Sequence, residues 1–260
     1  MKHILGPQAD ELISSGDPVA DAIGRESFLT QYDQKNSLKP SGDGAVTLEV
    51  GDTAWPLPIP VVKGAKGWSF DTAAGLDEML SRRIGRNELY TIQTCLAIVD
   101  AQREYVSADF SGNGWREYAR RFGSAPGKKD GLYWAPKEGE PESPLGELVA
   151  RATEEGYTAR RGAEGRRPYH GYLYRILTRQ GADAPGGAMD YIAKDHMIGG
   201  FAVVAWPADY ANSGLKTFIT SHHGVVYEKD LGDDTDRTAR KMREFNPGEG
   251  WAKSDTAVVP

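Results

Sequence analysis

The sequence has few of the residues that reveal disulfide-bonded, metal-binding or membrane-spanning proteins. Cys95 is the only cysteine among 260 residues, which excludes an intrachain disulfide framework and a cysteine-rich zinc or iron–sulfur site. We expect Cys95 to pack in the core as a small hydrophobic side chain. No apolar run reaches the roughly 18 residues that a transmembrane helix needs, and the first residues lack the apolar segment of a signal peptide. The chain as given therefore predicts neither a membrane span nor a signal peptide.

Positive charge is also limited. The formal net charge is −6, whereas nucleic acids and anionic membranes attract proteins that carry a concentrated positive field. We therefore expect neither as a partner. Hydrophobic residues make up 39% of the chain and 31 residues are glycine, a composition typical of a loop-rich globular protein.

The usual reactive motifs are missing as well. The chain contains no G-x-S-x-G elbow, no phosphate-binding P-loop, no G-x-G-x-x-G and no H-E-x-x-H. The sequence therefore predicts no particular reaction and no cofactor.

Residues 1–86 predict a helix, then antiparallel strands, then a second helix. Serine and aspartate at 14–17 are suited to cap the first helix, whose apolar residues recur at roughly helical spacing. Strands are predicted at 45–50, 55–62 and 67–72. Alternate prolines in 55–62 cannot donate to a ladder, so we expect an edge strand there. From Thr72 the pattern is helical until Gly85 interrupts it.

Residues 87–260 predict a long helix packed on an antiparallel sheet. Asn87 is suited to cap a helix that reaches about Ala108. The stripe predicted for its buried face consists of Leu89, Ile92, Leu96, Val99, Arg103 and Val106. A loop rich in glycine and proline follows at 123–147. The predicted strands of the sheet are 169–178, 199–207, 215–221 and 225–231. We therefore predict an α+β fold in two portions.

Two adjacent histidines, His222 and His223, lie between two of these strands. Neighbouring side chains of a strand point to opposite faces, so a regular strand would not let both bind one ion. A turn could bring them closer, but zinc needs three or four ligands. We interpret the pair as the tip of a hairpin in which Gly224 supplies a positive φ. A metal-binding, catalytic or contact role is the alternative.

The stretch 109–117 has part of the spacing of a calcium-binding loop. The residues at its first, third, fifth and ninth positions are Asp109, Ser111, Asn113 and Glu117. The bidentate glutamate that a tight calcium loop carries at its twelfth position is missing. A polar turn is therefore favoured, and calcium binding is the alternative.

A pocket between the two portions is a further hypothesis, because domain junctions are common pocket sites. His170 lies at the start of a predicted strand that is rich in aromatic residues. It could pair with a carboxylate such as Asp190, with Trp134 lining the pocket. Trp134 and its neighbour Tyr133 belong to the loop 123–147, where large aromatics have two interpretations. They form an exposed contact surface, or they pin the loop onto the sheet, which we favour because a long ordered loop needs its own small core.

Long phrases of the chain resemble those of a known family. They include WPLPIPVVK, RRIGRNELYTIQTCLAIVDAQREY, GLYWAPKEGEPESPLGELV, YHGYLYRILTRQGADAPGGAMDY and MIGGFAVVAWPADY. On these phrases the chain is identified as a member of an uncharacterised bacterial family, domain of unknown function 2950, over nearly its whole length. The resemblance implies a periplasmic or secreted protein with no established activity.

Within this resemblance, residues 87–231 also resemble the globular head of type IV pilins and pseudopilins. The phrases AQREY, GYLYRILT and TFITSHHGVVY carry this second likeness. It implies a long helix that lies across an antiparallel meander. The hydrophobic stem that polymerises pilins has no counterpart in the sequence as given, so no fibre is predicted.

Together these observations predict a non-catalytic envelope or secreted protein that acts through protein–protein interaction. We expect the long loop and the open sheet edges to form the contact surface, because unpaired edges are templates for strand addition. The alternative is a small-ligand-binding protein or a hydrolase-like enzyme with its pocket between the two portions. The partner and the oligomeric state are left open.

Overall fold

The computed structural model describes residues 2–6, 9–157 and 167–255. These residues form helices and antiparallel sheets, so the predicted α+β fold is confirmed. Among them, no helix combines the length and the apolar character that crossing a bilayer requires.

The first nine elements run from the amino terminus through the long helix. They are α1 (Lys2–Leu5), α2 (Asp10–Ile13), α3 (Pro18–Gln34), β1 (Asn36–Gly42), β2 (Ala45–Val50), β3 (Trp55–Pro56), β4 (Val61–Gly64), β5 (Gly67–Phe70) and α4 (Thr72–Ser107). The five strands form one antiparallel sheet in the order β1-β2-β4-β5, with β3 paired to β2. Helix α3 contacts β1 and β2.

Helix α3 begins where the sequence predicts, because Asp17 caps it. The Asp17 Oδ1 accepts hydrogen bonds from the backbone N–H groups of Val19 and Ala20, both at 3.2 Å. Pro18 occupies the first helical position, where a missing N–H costs nothing. None of the residues of α3, all of which the structure describes, is buried. This helix therefore gains little from hydrophobic packing.

Two predictions for the first sheet are wrong. The run 55–62 is not one edge strand, because Pro58 and Pro60 interrupt the ladder and β4 starts only at Val61. Strand β4 then pairs with both β2 and β5, so it lies inside the sheet. Strand β1 was not predicted, because its residues NSLKPSG are mostly polar and include a proline.

Helix α4 is continuous over 36 residues, about 54 Å at 1.5 Å per residue. Asp71 caps it, since its Oδ1 accepts from the N–H of Ala74 at 3.2 Å. The predicted interruption at Gly85 and new start at Asn87 are therefore wrong. A glycine inside a helix costs only about 1 kcal/mol relative to alanine, which a long packed helix tolerates. The boundary predicted between the two portions falls inside this helix.

The remaining elements follow a long loop. They are α5 (Gly146–Glu154), β6 (Tyr172–Leu177), β7 (Arg179–Gln180), β8 (Met189–Asp190), β9 (Ile192–Ala193), β10 (His196–Met197), β11 (Ala202–Pro207), β12 (Lys216–Ser221), β13 (Val226–Asp230), α6 (Thr235–Lys241) and β14 (Ala252–Lys253). The larger sheet has the order β14-β13-β12-β11-β6, and every pairing in it is antiparallel. Helix α4 contacts β11, β12 and β13, as predicted, and α6 contacts β11.

The buried face of α4 differs in part from the predicted stripe. In its carboxyl-terminal two thirds the buried residues are Asn87, Thr91, Ile92, Thr94, Cys95, Ile98, Val99, Ala101, Gln102 and Tyr105. Ile92 and Val99 of the predicted stripe are among them, whereas Leu89 and Arg103 are exposed. Cys95 is fully buried, as expected.

Polar residues can occupy this face because each finds a hydrogen-bond partner. The hydroxyls of Thr91 and Thr94 donate to the carbonyls one turn earlier, both at 2.8 Å. The Gln102 amide donates to the Ala119 carbonyl at 2.8 Å and accepts from the Ala119 N–H at 2.9 Å. Hydropathy cannot identify such positions, since burial follows from partners distant in sequence.

The hydrophobic core lies between α4 and the larger sheet. Its largest fully buried aromatic side chains are Tyr172, Tyr191, Phe201, Trp206, Phe218 and Phe245. Among the residues that the structure describes, the first buried member of the main cluster is Ile98 and that of the smaller cluster is Ile92. The strands of the amino-terminal sheet bury only two side chains, Leu48 and Val50 of β2.

The loop 123–147 folds back onto this core. Leu132, Trp134 and Leu145 belong to the main cluster, and Gly123 forms a β-bridge with Tyr133. These anchors agree with the favoured interpretation, in which aromatic residues pin the loop.

Candidate functional site

His222 and His223 lie in the turn between β12 and β13. Gly224 has a φ of +76°, as predicted for the tip of a hairpin, and its N–H donates to the Ser221 carbonyl at 2.8 Å. The two rings are 4.2 Å apart between centroids. His222 points inward, where its ring meets the edge of Tyr191 at 5.6 Å. Burial, followed by the neighbouring His223, lowers the pKa of His222.

The stretch 109–117 forms a hydrogen-bonded turn, the interpretation that the sequence favours over calcium binding. The Asp109 carboxylate accepts from the N–H groups of Gly114 at 2.8 Å and Asn113 at 3.1 Å, and from the Ser111 hydroxyl at 3.2 Å. The Gly114 bond is the main cause that lowers the Asp109 pKa. Within the described residues, no group of three or more His, Cys, Asp or Glu side chains has the arrangement of a metal site.

Glu117, the last residue of the stretch 109–117, pairs with a histidine from another element. Its Oε2 lies 3.1 Å from the Nδ1 of His196 at the start of β10. Its Oε1 accepts from the Asn113 Nδ2 at 2.6 Å. The Trp115 ring stacks on the His196 ring at 4.5 Å between centroids. No pattern in the sequence indicates this pair, because the two residues are 79 positions apart along the chain.

His170 lies at a joint where three parts of the chain meet. Its ring stacks on Tyr90 of α4, with centroids 4.3 Å apart and planes 16° apart. Its Nε2 is 3.3 Å from the Glu155 Oε2, just after α5. Its backbone has a φ of +48°, a left-handed conformation that is strained for a residue other than glycine. The carboxylate beside His170 is therefore Glu155, and not Asp190 as the sequence suggests.

Asp17 holds the same joint together. In addition to capping α3, its carboxylate accepts from the Tyr157 hydroxyl and the Gly171 N–H, both at 2.9 Å. The Tyr157 oxygen in turn accepts from the His170 N–H at 3.2 Å. Asp17 is 1% exposed, so a buried carboxylate links α3 to the entry of the larger sheet. Sequence reasoning identified Asp17 as a cap but missed these distant partners.

Burial at this joint shifts the pKa values of His170 and Glu155 toward their neutral forms. Burial lowers the pKa of His170 to about 4, although Asp17 opposes the shift. Burial also raises the pKa of the Glu155 carboxyl. The distance between His170 and Glu155 suits an ion pair, but the Glu155 Oε2 is buried without an aligned hydrogen bond. We conclude that His170 is neutral at pH 7 and that the contact is not an ion pair there.

The other residues predicted for a pocket lie elsewhere. Trp134 packs on Phe110 at 5.2 Å, and Phe110 packs on Tyr105. Tyr105 is about 22 Å along α4 from Tyr90, the residue on which His170 stacks. The structure therefore does not bring Trp134, or its neighbour Tyr133, to His170.

Asp190 is exposed in the β7–β8 hairpin, where its Oδ1 accepts from the Ile192 N–H at 2.9 Å.

Two open depressions, of about 320 and 380 Å³, are found on the carboxyl-terminal part of the chain. The first is lined by residues that include Met242 and Trp251, and the second by residues that include Tyr210 and Asp236. His170 lines neither of them.

Comparison with known proteins identifies the family but no activity. The family model described as a protein of unknown function, DUF2950, matches residues 1–254. The chain belongs to this family. No curated protein and no solved structure shows a significant match to this DUF2950 chain.

Proposed function

We propose that this DUF2950 protein acts without catalysis, by binding a protein partner in the bacterial envelope or outside the cell. One observation carries the proposal: the amino-terminal part exposes large apolar side chains and contributes nothing to either core cluster of the described residues. Soluble surfaces rarely keep large apolar groups together unless a partner covers them. The envelope or secreted location rests on the family resemblance.

The proposed contact face is formed by α3 and β1, which contact each other. Leu29 and Tyr32 of α3 are 57% and 38% exposed, and Leu38 of β1 is 62% exposed. We call these three residues the N-terminal apolar surface. Burying a leucine side chain against a partner contributes about 1.5–3 kcal/mol, so three such groups are enough to anchor a small interface.

The chemistry of the partner follows from the surroundings of this surface. Arg25, Glu26, Asp33 and Lys39 carry charges of both signs on the same two elements, so the net field is weak. Strand β1 also carries Pro40 beside Lys39, and both residues discourage strand addition at an edge. We therefore propose a partner that offers apolar side chains, and an interface that responds little to salt.

The pilin-head likeness belongs to the same proposal. The packing of α4 on the antiparallel strands β11 to β13 supports it, because pilin heads also carry a long helix on a meander.

Affinity capture with matched variants tests this function. The wild type, Leu29→Glu and Thr30→Glu are each immobilised and exposed to envelope and secreted fractions of a producing bacterium. Thr30 is exposed on the same helix, so it controls for the added charge. We expect one protein to be retained by the wild type and by Thr30→Glu, and lost with Leu29→Glu, in both low and high salt. Equal retention by all three would refute this contact face.

The joint around His170 supports a second candidate, a small-ligand-binding protein or a hydrolase-like enzyme. A strained histidine beside a half-buried carboxyl group, both with shifted pKa values, is typical of functional sites. Exchange of His170 for Gln separates the two: partner capture survives under the first proposal, while any ligand or hydrolytic activity of the wild type is lost under the second.

A further inference from the structure

A second cluster, on the part of the fold built after α4, is independent of the N-terminal apolar surface. It consists of Trp115, His196 and Glu117, with Asn113 beside them. Each member is oriented by another. The Asn113 side chain donates to the Glu117 carboxylate and accepts from the backbone N–H of Trp115 at 2.9 Å. The Trp115 and His196 rings are nearly parallel, at 19° between planes.

The turn before His196 holds this arrangement in place. Lys194 and Asp195 are both left-handed, with φ of 50° and 65°, in a two-residue hairpin that pairs Ala193 with His196. This geometry is common for glycine and asparagine but costly for lysine. Arg120 bonds the Asp195 side chain and backbone and secures the turn.

The hydrogen bond to Glu117 decides what His196 offers to a ligand. An ionised carboxylate only accepts hydrogen bonds, so the Nδ1 of His196 carries the proton. In the neutral imidazole the Nε2 then keeps its lone pair as an acceptor. Within the described residues this Nε2 makes no hydrogen bond, and it is not among the buried unpartnered atoms. When the imidazole is neutral, this Nε2 is therefore an acceptor that a ligand can reach.

An exposed aromatic surface adjoins this acceptor. Trp115 is 39% exposed and Ile198 is 40% exposed. A bond from the Tyr118 N–H to the Met197 carbonyl, 2.8 Å, joins the two segments that carry them. A ligand that fits combines a flat apolar face for the indole with hydroxyl donors for the Nε2. Saccharide rings have both features, since one face presents C–H groups and the rim presents hydroxyls.

We propose that Trp115, His196 and Glu117 form a saccharide-binding site. The sugar ring stacks on the exposed part of the Trp115 indole, and one hydroxyl donates to the His196 Nε2. Glu117 acts as a positioning residue, because it fixes the proton on Nδ1 and does not itself touch the sugar.

The test is a titration of the full chain with cellotetraose, chitotetraose and mannotetraose, followed by calorimetry and by the indole N–H signals in NMR. Three site variants are compared: Trp115→Ala removes the platform, His196→Phe keeps a stacking ring without the acceptor, and Glu117→Gln keeps the shape without the carboxylate. The control, Trp68→Ala, removes an indole that is 54% exposed on β5. Circular dichroism confirms the fold of each variant.

We expect at least one oligosaccharide to bind the wild type and Trp68→Ala equally and to shift the Trp115 indole signal. Binding weakens at least tenfold in Trp115→Ala and in His196→Phe, and Glu117→Gln binds more weakly at the pH where the wild type binds best. Failure of all three sugars to bind the wild type, or equal binding by His196→Phe, overturns the proposal. Leu29→Glu leaves sugar binding unchanged, so this site and the proposed partner surface are tested separately.

Discussion

Replacement of Asp17 by alanine tests the joint most severely. The carboxylate of this buried residue accepts four hydrogen bonds, two from the start of α3 and two from Tyr157 and Gly171. Loss of a helix cap costs about 1 kcal/mol, and each buried donor left without a partner costs about 1–3 kcal/mol. We therefore expect Asp17→Ala to lower the free energy of unfolding by about 3–7 kcal/mol. At about 2–4 °C per kcal/mol for a chain of this size, the Tm falls by at least about 6 °C.

The assay is urea unfolding followed by circular dichroism, with calorimetry for the Tm. Asp33→Ala is the matched control, because it removes an exposed carboxylate from the same helix and is expected to change stability by less than about 0.5 kcal/mol. A double-mutant cycle of Asp17→Ala with Tyr157→Phe isolates their hydrogen bond, with an expected coupling of about 0.5–3 kcal/mol. A loss below about 1 kcal/mol in Asp17→Ala, similar to the control, would refute the role assigned to this carboxylate.

Three further predictions concern helix α4 and the joint. Gly75→Ala places a Cβ 2.6 Å from the backbone of the facing segment, so we expect it to destabilise the protein by about 1–3 kcal/mol. The Cβ of Gly85→Ala meets no atom within 4 Å, so this substitution should stabilise the protein by about 0.5–1 kcal/mol. Urea unfolding of both variants checks these opposite signs, and a destabilised Gly85→Ala contradicts a continuous helix. Burial raises the pKa of Cys95 to about 12, so a thiol reagent should label it only after unfolding, and rapid labelling of the native protein argues against the helix docking. His170 takes up its proton near pH 6.5 when unfolded but near pH 4 when folded, so its contribution to stability is lost as the pH falls through this window. The raised pKa of Glu155 has the opposite effect on stability as the pH falls. Comparison with His170→Gln therefore isolates the contribution of His170, and the stability of this variant should fall less between pH 6.5 and 4 than that of the wild type.

Much of the fold could be predicted from patterns within the sequence. Four of the five strands of the larger sheet, β6 and β11 to β13, and the docking of α4 on it follow from hydrophobic runs, turn residues and a long helical period, whereas β14 was not predicted. Strand β1 could not be predicted, because its residues are mostly polar and its extended conformation depends on pairing with β2. The continuity of α4 through Gly85 was missed because the packing on both sides of this residue outweighs a weak local preference.

The sites were less predictable, since they depend on contacts between distant segments. The hairpin tip at His222 follows from local turn chemistry. The His170 ring, by contrast, contacts Tyr90 and Glu155, and the partner of Glu117 is His196. The residues around a carboxylate in the sequence do not indicate which histidine it contacts in the fold.

The central claim is that the N-terminal apolar surface contacts a protein partner, and site-specific photo-crosslinking in a producing bacterium tests it most directly. A photoreactive amino acid is placed at Leu38, and in a second strain at Glu154, which is exposed at the end of α5. We predict one discrete adduct of constant mass from position 38 and none of that mass from position 154. No adduct from position 38, or the same adduct from both positions, would contradict the claim.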